Sequence, residues 1–172
     1  MNSGCEHATS AQPDWEQWLK QQAPKFLLFA RQQSRFEDDA QDLVQEAVVE
    51  CWRRQANGAP PAAGLVFATI RRRAIDLGRG HDRRTGREAV VAQETPLDWF
   101  DSGVEDRERN RLMQEAMSRL PDIYRDVITL KVWGELTFAE IAQTLEIAPN
   151  TAASRYRYGL AELRKLAGAL FP

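Results

Sequence analysis

Apolar residues return every three or four positions along most of the chain, and no segment sustains the period-two alternation of a strand. From Asp14 to about Arg35 the pattern predicts a helix, with Asp14 as N-cap and Trp15, Trp18, Leu19, Phe26, Leu27 and Phe29 as core candidates. Pro24 is expected to kink or divide it. Residues 38–54 form one apolar stripe, Ala40, Leu43, Val44, Ala47, Val48 and Cys51, with Asp38, Asp42, Gln45, Glu46, Val49 and Arg53 on the other side. The stretch QANGAPPAAG at 55–64 leaves the helix. Helical spacing resumes from Leu65 to about Arg79, with Val66, Phe67, Ile70, Ala74 and Leu77 inward and arginines on the remaining surface. From Gly80 to about Asp106 the periodicity fails around a lone apolar patch, Leu97, Trp99 and Phe100. A second unit follows, with Leu112, Ala116 and Leu120 in one helix and Ile123, Val127, Leu130 and Val132 in the next. Pro121 suits the start of that helix and Gly134 its end.

The stretch Gly134 to Leu166 carries the clearest motif. Thr137 and Glu140 make a capping box, so a short helix begins near Phe138 with Ile141, Ala142 and Leu145 inward. Glu146 to Ala148 turn the chain, and Pro149 opens a new helix, where its missing amide is not needed. Ala152, Tyr156, Leu160 and Leu163 face inward in that helix, which leaves Asn150, Thr151, Ser154, Arg155, Arg157 and Tyr158 near its exposed N-terminal half. A helix-turn-helix presents base-reading side chains there. Arginine can bridge guanine O6 and N7, asparagine can pair with adenine, and serine or threonine can hold phosphate. The expected fold is all-α: a flexible leader over 1–13, a helical domain over 14–88, a flexible acidic linker over 89–106, and a domain over 107–172 with the helix-turn-helix.

Charge adds a division that the net value of −2 conceals. Residues 37–50 carry Glu37, Asp38, Asp39, Asp42, Glu46 and Glu50 and no Lys or Arg; residues 71–87 carry Arg71, Arg72, Arg73, Arg79, Arg83, Arg84 and Arg87 against Asp76 and Asp82. Such blocks suggest different partners on different faces. No run approaches the roughly 18 apolar residues of a membrane span, and the N-terminal residues lack an export pattern, so a cytoplasmic protein without membrane insertion is expected. Cys5 and Cys51 are far apart, without metal-ligand neighbours, and should be free thiols. His7 and His81 stand without a carboxylate or cysteine constellation, and no phosphate-cradling glycine loop precedes a helix. Neither a catalytic site nor a metal or cofactor is expected. The five tryptophans, Trp15, Trp18, Trp52, Trp99 and Trp133, read as core and interface anchors, and Trp99 as a residue that docks between domains or on a partner.

Three stretches, DAQDLVQEAVVECWRR at 39–54, FATIRRRAIDLGRGHDRR at 67–84 and the segment from Leu120 to Leu166, resemble the extracytoplasmic-function group of the sigma-70 family of bacterial RNA polymerase sigma factors. The resemblance covers 15–88 and 107–167 and includes the order of the two domains. It implies an alternative sigma factor that binds core polymerase and directs promoter recognition and opening. Asp39, Asp42, Gln45 and Glu46 match the face that docks on the clamp helices of the largest subunit, with Val49 as an apolar contact. Arg71, Arg72, Arg73 and Arg79, extended by Arg83 and Arg84, match the part that holds the opened minus-10 strand, beside the 55–64 loop, which in the family helps form a pocket for an extruded base and whose individual residues read equally as ordinary surface loop. Asn150, Thr151, Ser154, Arg155, Arg157 and Tyr158 match the minus-35 recognition helix. The resemblance also implies restraint by an anti-sigma factor. Glu146 departs from it at a turn position often filled by glycine, and Tyr158 stands where a further arginine is frequent. The alternative from the residues themselves is a dimeric helix-turn-helix regulator that binds a palindrome without polymerase; it leaves the acidic and arginine-rich helices without a role. A protein-only adaptor leaves the two basic surfaces unexplained.

Overall fold

The computed structural model describes residues 15–55, 58–85, 97–100 and 106–170, with the side chains of 79–85 and of Leu170 outside that description. The described residues form seven helices and no strand: α1 Trp15–Gln33, α2 Glu37–Arg53, α3 Ala63–Thr85, α4 Arg107–Ser118, α5 Asp122–Val132, α6 Phe138–Leu145 and α7 Pro149–Leu170. The fold is all-α, as the periodicity predicts.

Local chemistry accounts for most of the helix ends. Glu37, Asp38 and Asp39 occupy the first turn of α2, where negative charge complements the unpaired amides and the helix dipole. The capping box of α6 forms as expected: the Glu140 amide donates to Thr137 Oγ1 at 3.2 Å, and the Thr137 amide donates to Glu140 Oε2 at 2.7 Å. Those bonds, first the backbone donor and then the hydroxyl, hold the Glu140 carboxyl below its ordinary pKa. α6 ends where Glu146 turns left-handed, at φ 55°, and the Ile147 amide closes back on Ala142 O at 2.9 Å. A non-glycine residue in that conformation costs about 1 kcal/mol or more, which the surrounding turn must hold. Pro149 then opens α7. Pro24 does not divide α1, which continues through it from Trp15 to Gln33.

α1, α2 and α3 enclose Phe26, Phe29, Leu43, Ala47, Cys51, Phe67 and Ile70, and the same apolar cluster continues into Val127, Leu130, Leu136, Ile141, Leu145 and Ala152. The two halves therefore share a core, with α3 packed on α6 and α1 on α5. A second cluster, Met117, Leu120 and Ile128, is covered by Trp99, Trp133, Leu160 and Leu163. Trp99 lies between the halves: its carbonyl accepts from Arg31 Nη1 at 3.2 Å and its amide donates to Gln114 Oε1 at 2.8 Å. Close packing of α5 on α7 depends on Gly159, where a Cβ would stand 3.0 Å from both Ile128 Cδ1 and Tyr124 Cβ.

Some expected core positions are exposed. Leu19 sits N-terminal to Pro24, where α1 is covered only on its Trp15 and Trp18 side. Ile123 and Val132 lie at the ends of the short α5, whose burial is confined to its middle, residues 126–130. Leu77 is also exposed on α3. Conversely Leu28, Arg31 and Gln32 are buried, because both halves of the protein cover the end of α1. Asp14, Cys5, His7 and Arg87 lie outside the described residues, as does the side chain of His81.

Candidate nucleic-acid interface

α2 and α3 run side by side, and their facing charges meet. Glu50 is the hub. Arg54 Nη2 and Arg72 Nη2 approach its Oε1 at 2.6 and 2.5 Å, while Arg73 Nε and Nη2 approach Oε2 at 3.0 and 2.8 Å. Arg73 also reaches Glu46 through Nη1. Partial burial pulls the Glu50 carboxyl upward, but the hydrogen bonds from Arg72 and Arg73 and the nearby charges of Arg72 and Arg54 outweigh it, so its pKa lies below the usual range. Asp42, Gln45, Glu46 and Val49 are exposed along α2, and Asp39 is half-buried at its start. The acidic face and the arginine face thus share an edge at the Glu46 and Arg73 pair.

Arg71 points the other way. Its Nε lies 3.7 Å from Asp126 Oδ2 on α5, and Gln33 Nε2 donates to Asp126 Oδ1 at 2.8 Å. Asp126 is 6% exposed, and desolvation raises its pKa against the opposing pull of Gln33, Arg71 and Arg125. Beside it, the Thr129 hydroxyl donates to Gln32 Oε1 at 2.8 Å in a buried bond. Farther along the seam Thr144 Oγ1 donates to Gly64 O at 3.2 Å, and Lys25 pairs with Glu135. A cleft of about 290 Å³ opens between α3 and α6, lined by Arg54, Leu65, Arg71, Arg72, Thr144 and Glu146 among others. Arg79, Arg83 and Arg84 continue the sequence of α3, but their side chains lie outside the description.

The segment between α2 and α3 is described from Gly58 onward. Gly58 adopts φ +67°, its carbonyl accepts from Trp15 Nε1 at 2.7 Å, and Pro61 is buried. Trp52, at the end of α2, is 52% exposed.

On α7, Asn150, Arg157 and Tyr158 are exposed, and Thr151, Ser154 and Arg155 are half-buried. Among the described residues neither Arg155 nor Arg157 is paired with a carboxylate; Arg157 instead lies 5.2 Å from the centre of the Tyr158 ring. Cationic side chains that are not internally neutralised, at the first turns of a helix behind a tight turn, suit phosphate and base edges. The structure gathers the α7 residues on one element and brings Arg72 and Arg73 to α2, while it turns Arg71 toward α5. Sequence reasoning assigned no site role to Glu50, Arg54 or Asp126. Their signal is tertiary, since each is identified by what another helix brings to it. Among the described residues no cluster of His, Cys, Asp or Glu could hold a metal ion, and no helix is long and apolar enough to cross a membrane.

Comparison with known proteins supplies a context for this arrangement. A family profile described as Sigma-70, region 4, matches residues 110–163. An extracytoplasmic-function RNA polymerase sigma factor of Mycobacterium ulcerans, SigK, is 32% identical over 134 residues, 73% of this chain and 70% of that protein. Another, ShbA of Streptomyces griseus, is 30% identical over 136 residues, 74% of this chain and 71% of that one. Among solved structures, the sigma factor RpoE of Bartonella quintana, crystallised with the anti-sigma factor NepR, superposes with a TM-score of 0.66 over 89% of this chain and 96% of that chain, at 22% identity.

Proposed function

Because the chain belongs to the extracytoplasmic-function RNA polymerase sigma factors, we propose that three of its surfaces divide the work of starting transcription. α2 docks on the clamp helices of core polymerase through Asp39, Asp42, Gln45, Glu46 and Val49, an acidic face whose attraction to a basic helical partner orients the encounter. Arg72, Arg73, Arg79, Arg83 and Arg84, with the loop before α3 and with Arg71 where it leaves Asp126, hold the opened minus-10 strand, which needs cations for phosphate and surfaces that replace lost base stacking. Asn150, Thr151, Ser154, Arg155, Arg157 and Tyr158 read the minus-35 element in duplex DNA. The functional units are residues 14–88 and 107–172, joined through an acidic linker. No covalent step is assigned to the chain; it stabilises an open complex, and nucleotide chemistry belongs to the polymerase.

The observation that carries this reading is the open cationic start of α7, on the segment that matches Sigma-70 region 4. The chain works in the cytoplasm, where polymerase and promoter DNA are. Its restraint by an anti-sigma protein is supported in kind by the Bartonella quintana sigma factor of similar fold, which was crystallised with one.

Reconstitution with bacterial core polymerase and transcription from genomic fragments tests the reading. Promoter-specific initiation and co-purification with core enzyme are expected; failure of both would refute it. Replacing Asp42 and Glu46 with Lys should abolish co-purification while the helical circular dichroism stays unchanged, and unaltered polymerase binding would remove α2 from the docking role. Tight binding of a dimer to a palindrome without polymerase would favour a conventional regulator.

A further inference from the structure

The loop that leads into α3 is fastened from outside. Trp15, 43 positions upstream, donates its indole Nε1 hydrogen to Gly58 O at 2.7 Å. Its ring stands edge-on to Trp18 at 5.4 Å, and Trp18 leans at 5.8 Å on Phe26, which is fully buried. A ladder of rings therefore runs from the core to one carbonyl of the loop. On its other side Trp15 meets Trp52 edge-on at 6.4 Å, and that ring is half open to solvent. Arg54 and Arg72, joined through Glu50 Oε1, stand at the α2 end and on α3. An exposed aromatic face beside a loop backbone held at a set position is what receives a base lifted from its stack.

We propose that Trp15 is a positioning residue for promoter recognition: its indole N–H fixes the loop at Gly58 relative to Trp52, and that spacing sets how strongly the protein discriminates among bases of the opened minus-10 strand. The proposal rests on the assignment of this loop to the opened strand. Trp15 itself need not touch DNA. Without its donor the loop keeps its sequence but samples more positions, so matched and mismatched bases become harder to tell apart.

The test uses holoenzyme reconstituted with the wild-type chain, Trp15→Phe or Trp15→Ala, on a promoter recovered from the transcription experiment above and on derivatives with single substitutions in either element. Permanganate reactivity of unpaired thymines reads open-complex formation. For Trp15→Phe, which keeps a ring and loses the donor, the ratio of matched to mismatched minus-10 sites should fall by roughly three- to tenfold, the range that loss of one neutral hydrogen bond allows. Its minus-35 ratio and affinity for core polymerase should match wild type. Trp15→Ala, which also removes the ladder, should lower the minus-10 ratio at least as far. A Trp15→Phe holoenzyme with the wild-type minus-10 ratio would overturn the proposal, and so would an equal fall in both ratios, which would mean general loosening. If the wild-type protein were itself indifferent to minus-10 substitutions, the assignment of the loop would be wrong, a result distinct from either of those.

Discussion

Two basic regions of this protein treat their charge differently. On α3, Arg72 and Arg73 are bonded to Glu50, and Arg73 also to Glu46, all within the folded chain. On α7, Arg155 and Arg157 have no carboxylate partner among the described residues. The first arrangement contributes to folding and must be exchanged before those guanidinium groups can hold phosphate in full. The second contributes little to folding and, on the proposed assignment to duplex DNA, would meet it without breaking an ion pair inside the chain. Arginine content alone would rank the two regions the other way, because the arginines are denser on α3.

The largest effect expected from this contrast is on DNA. Replacing Arg155 and Arg157 with Ala should reduce use of the minus-35 element at least tenfold, since a bidentate base contact discriminates by about 1–3 kcal/mol. Unfolding free energy in urea should move by no more than about 1 kcal/mol, because Arg157 is exposed, Arg155 is half-buried and neither holds a carboxylate among the described residues. A loss of stability as large as the loss of DNA use would erase the contrast.

Glu50→Gln probes the opposite side and should destabilise the fold by about 1–2 kcal/mol, below the full value for hydrogen bonds to charged groups because Arg72 and Arg54 remain partly solvated. Its pH dependence has a definite sign. The folded Glu50 carboxyl titrates below its unfolded value, so its contribution is present above the unfolded pKa and is lost as pH falls through the folded one. Urea midpoints across the acid range should therefore fall less steeply with falling pH in the variant than in wild type.

The smallest change is expected at the seam between the halves, where Asp126 behaves in reverse. Desolvation raises its folded pKa, so the native state retains the proton longer and the contribution of this group to stability declines as pH rises from the unfolded value through the raised one. Asp126→Asn keeps an acceptor for Gln33 and removes the charge. It should flatten that slope and shift stability at neutral pH by less than about 1 kcal/mol, because Arg71 is left partly solvated. A slope in that window as steep as in wild type would show that the carboxyl is not the titrating group.

The helix-turn-helix was legible almost residue by residue, because its determinants are local: a capping box between Thr137 and Glu140, a proline at the start of α7, and an apolar spacing that Ala152 and Tyr156 honour. The apolar stripe of α2 was legible for the same reason. What the sequence did not disclose depends on how helices approach one another. Leu19, Ile123 and Val132 sit on plausible apolar faces yet outreach their neighbours, while Arg31 and Gln32 look like surface residues and are enclosed by both halves. The arginine block announced a cationic surface, but only the packing of α2 on α3 shows that Glu50 collects Arg72 and Arg73, and only that of α5 shows where Arg71 turns. Gly159 was passed over because glycine gives no apolar signal, although a Cβ there would press on Ile128 and Tyr124.

The continuous core has a calorimetric consequence. Phe26, Phe67 and Ile70 belong to the same cluster as Val127, Leu130 and Ile141, so a partner that parts the halves uncovers apolar side chains while it covers others. Water meeting those side chains raises the heat capacity, whereas exclusion of water from the new contact lowers it. Binding of such a partner would register a heat-capacity change less negative than its own footprint implies, and a partner that accepts the halves as they stand would register the full value.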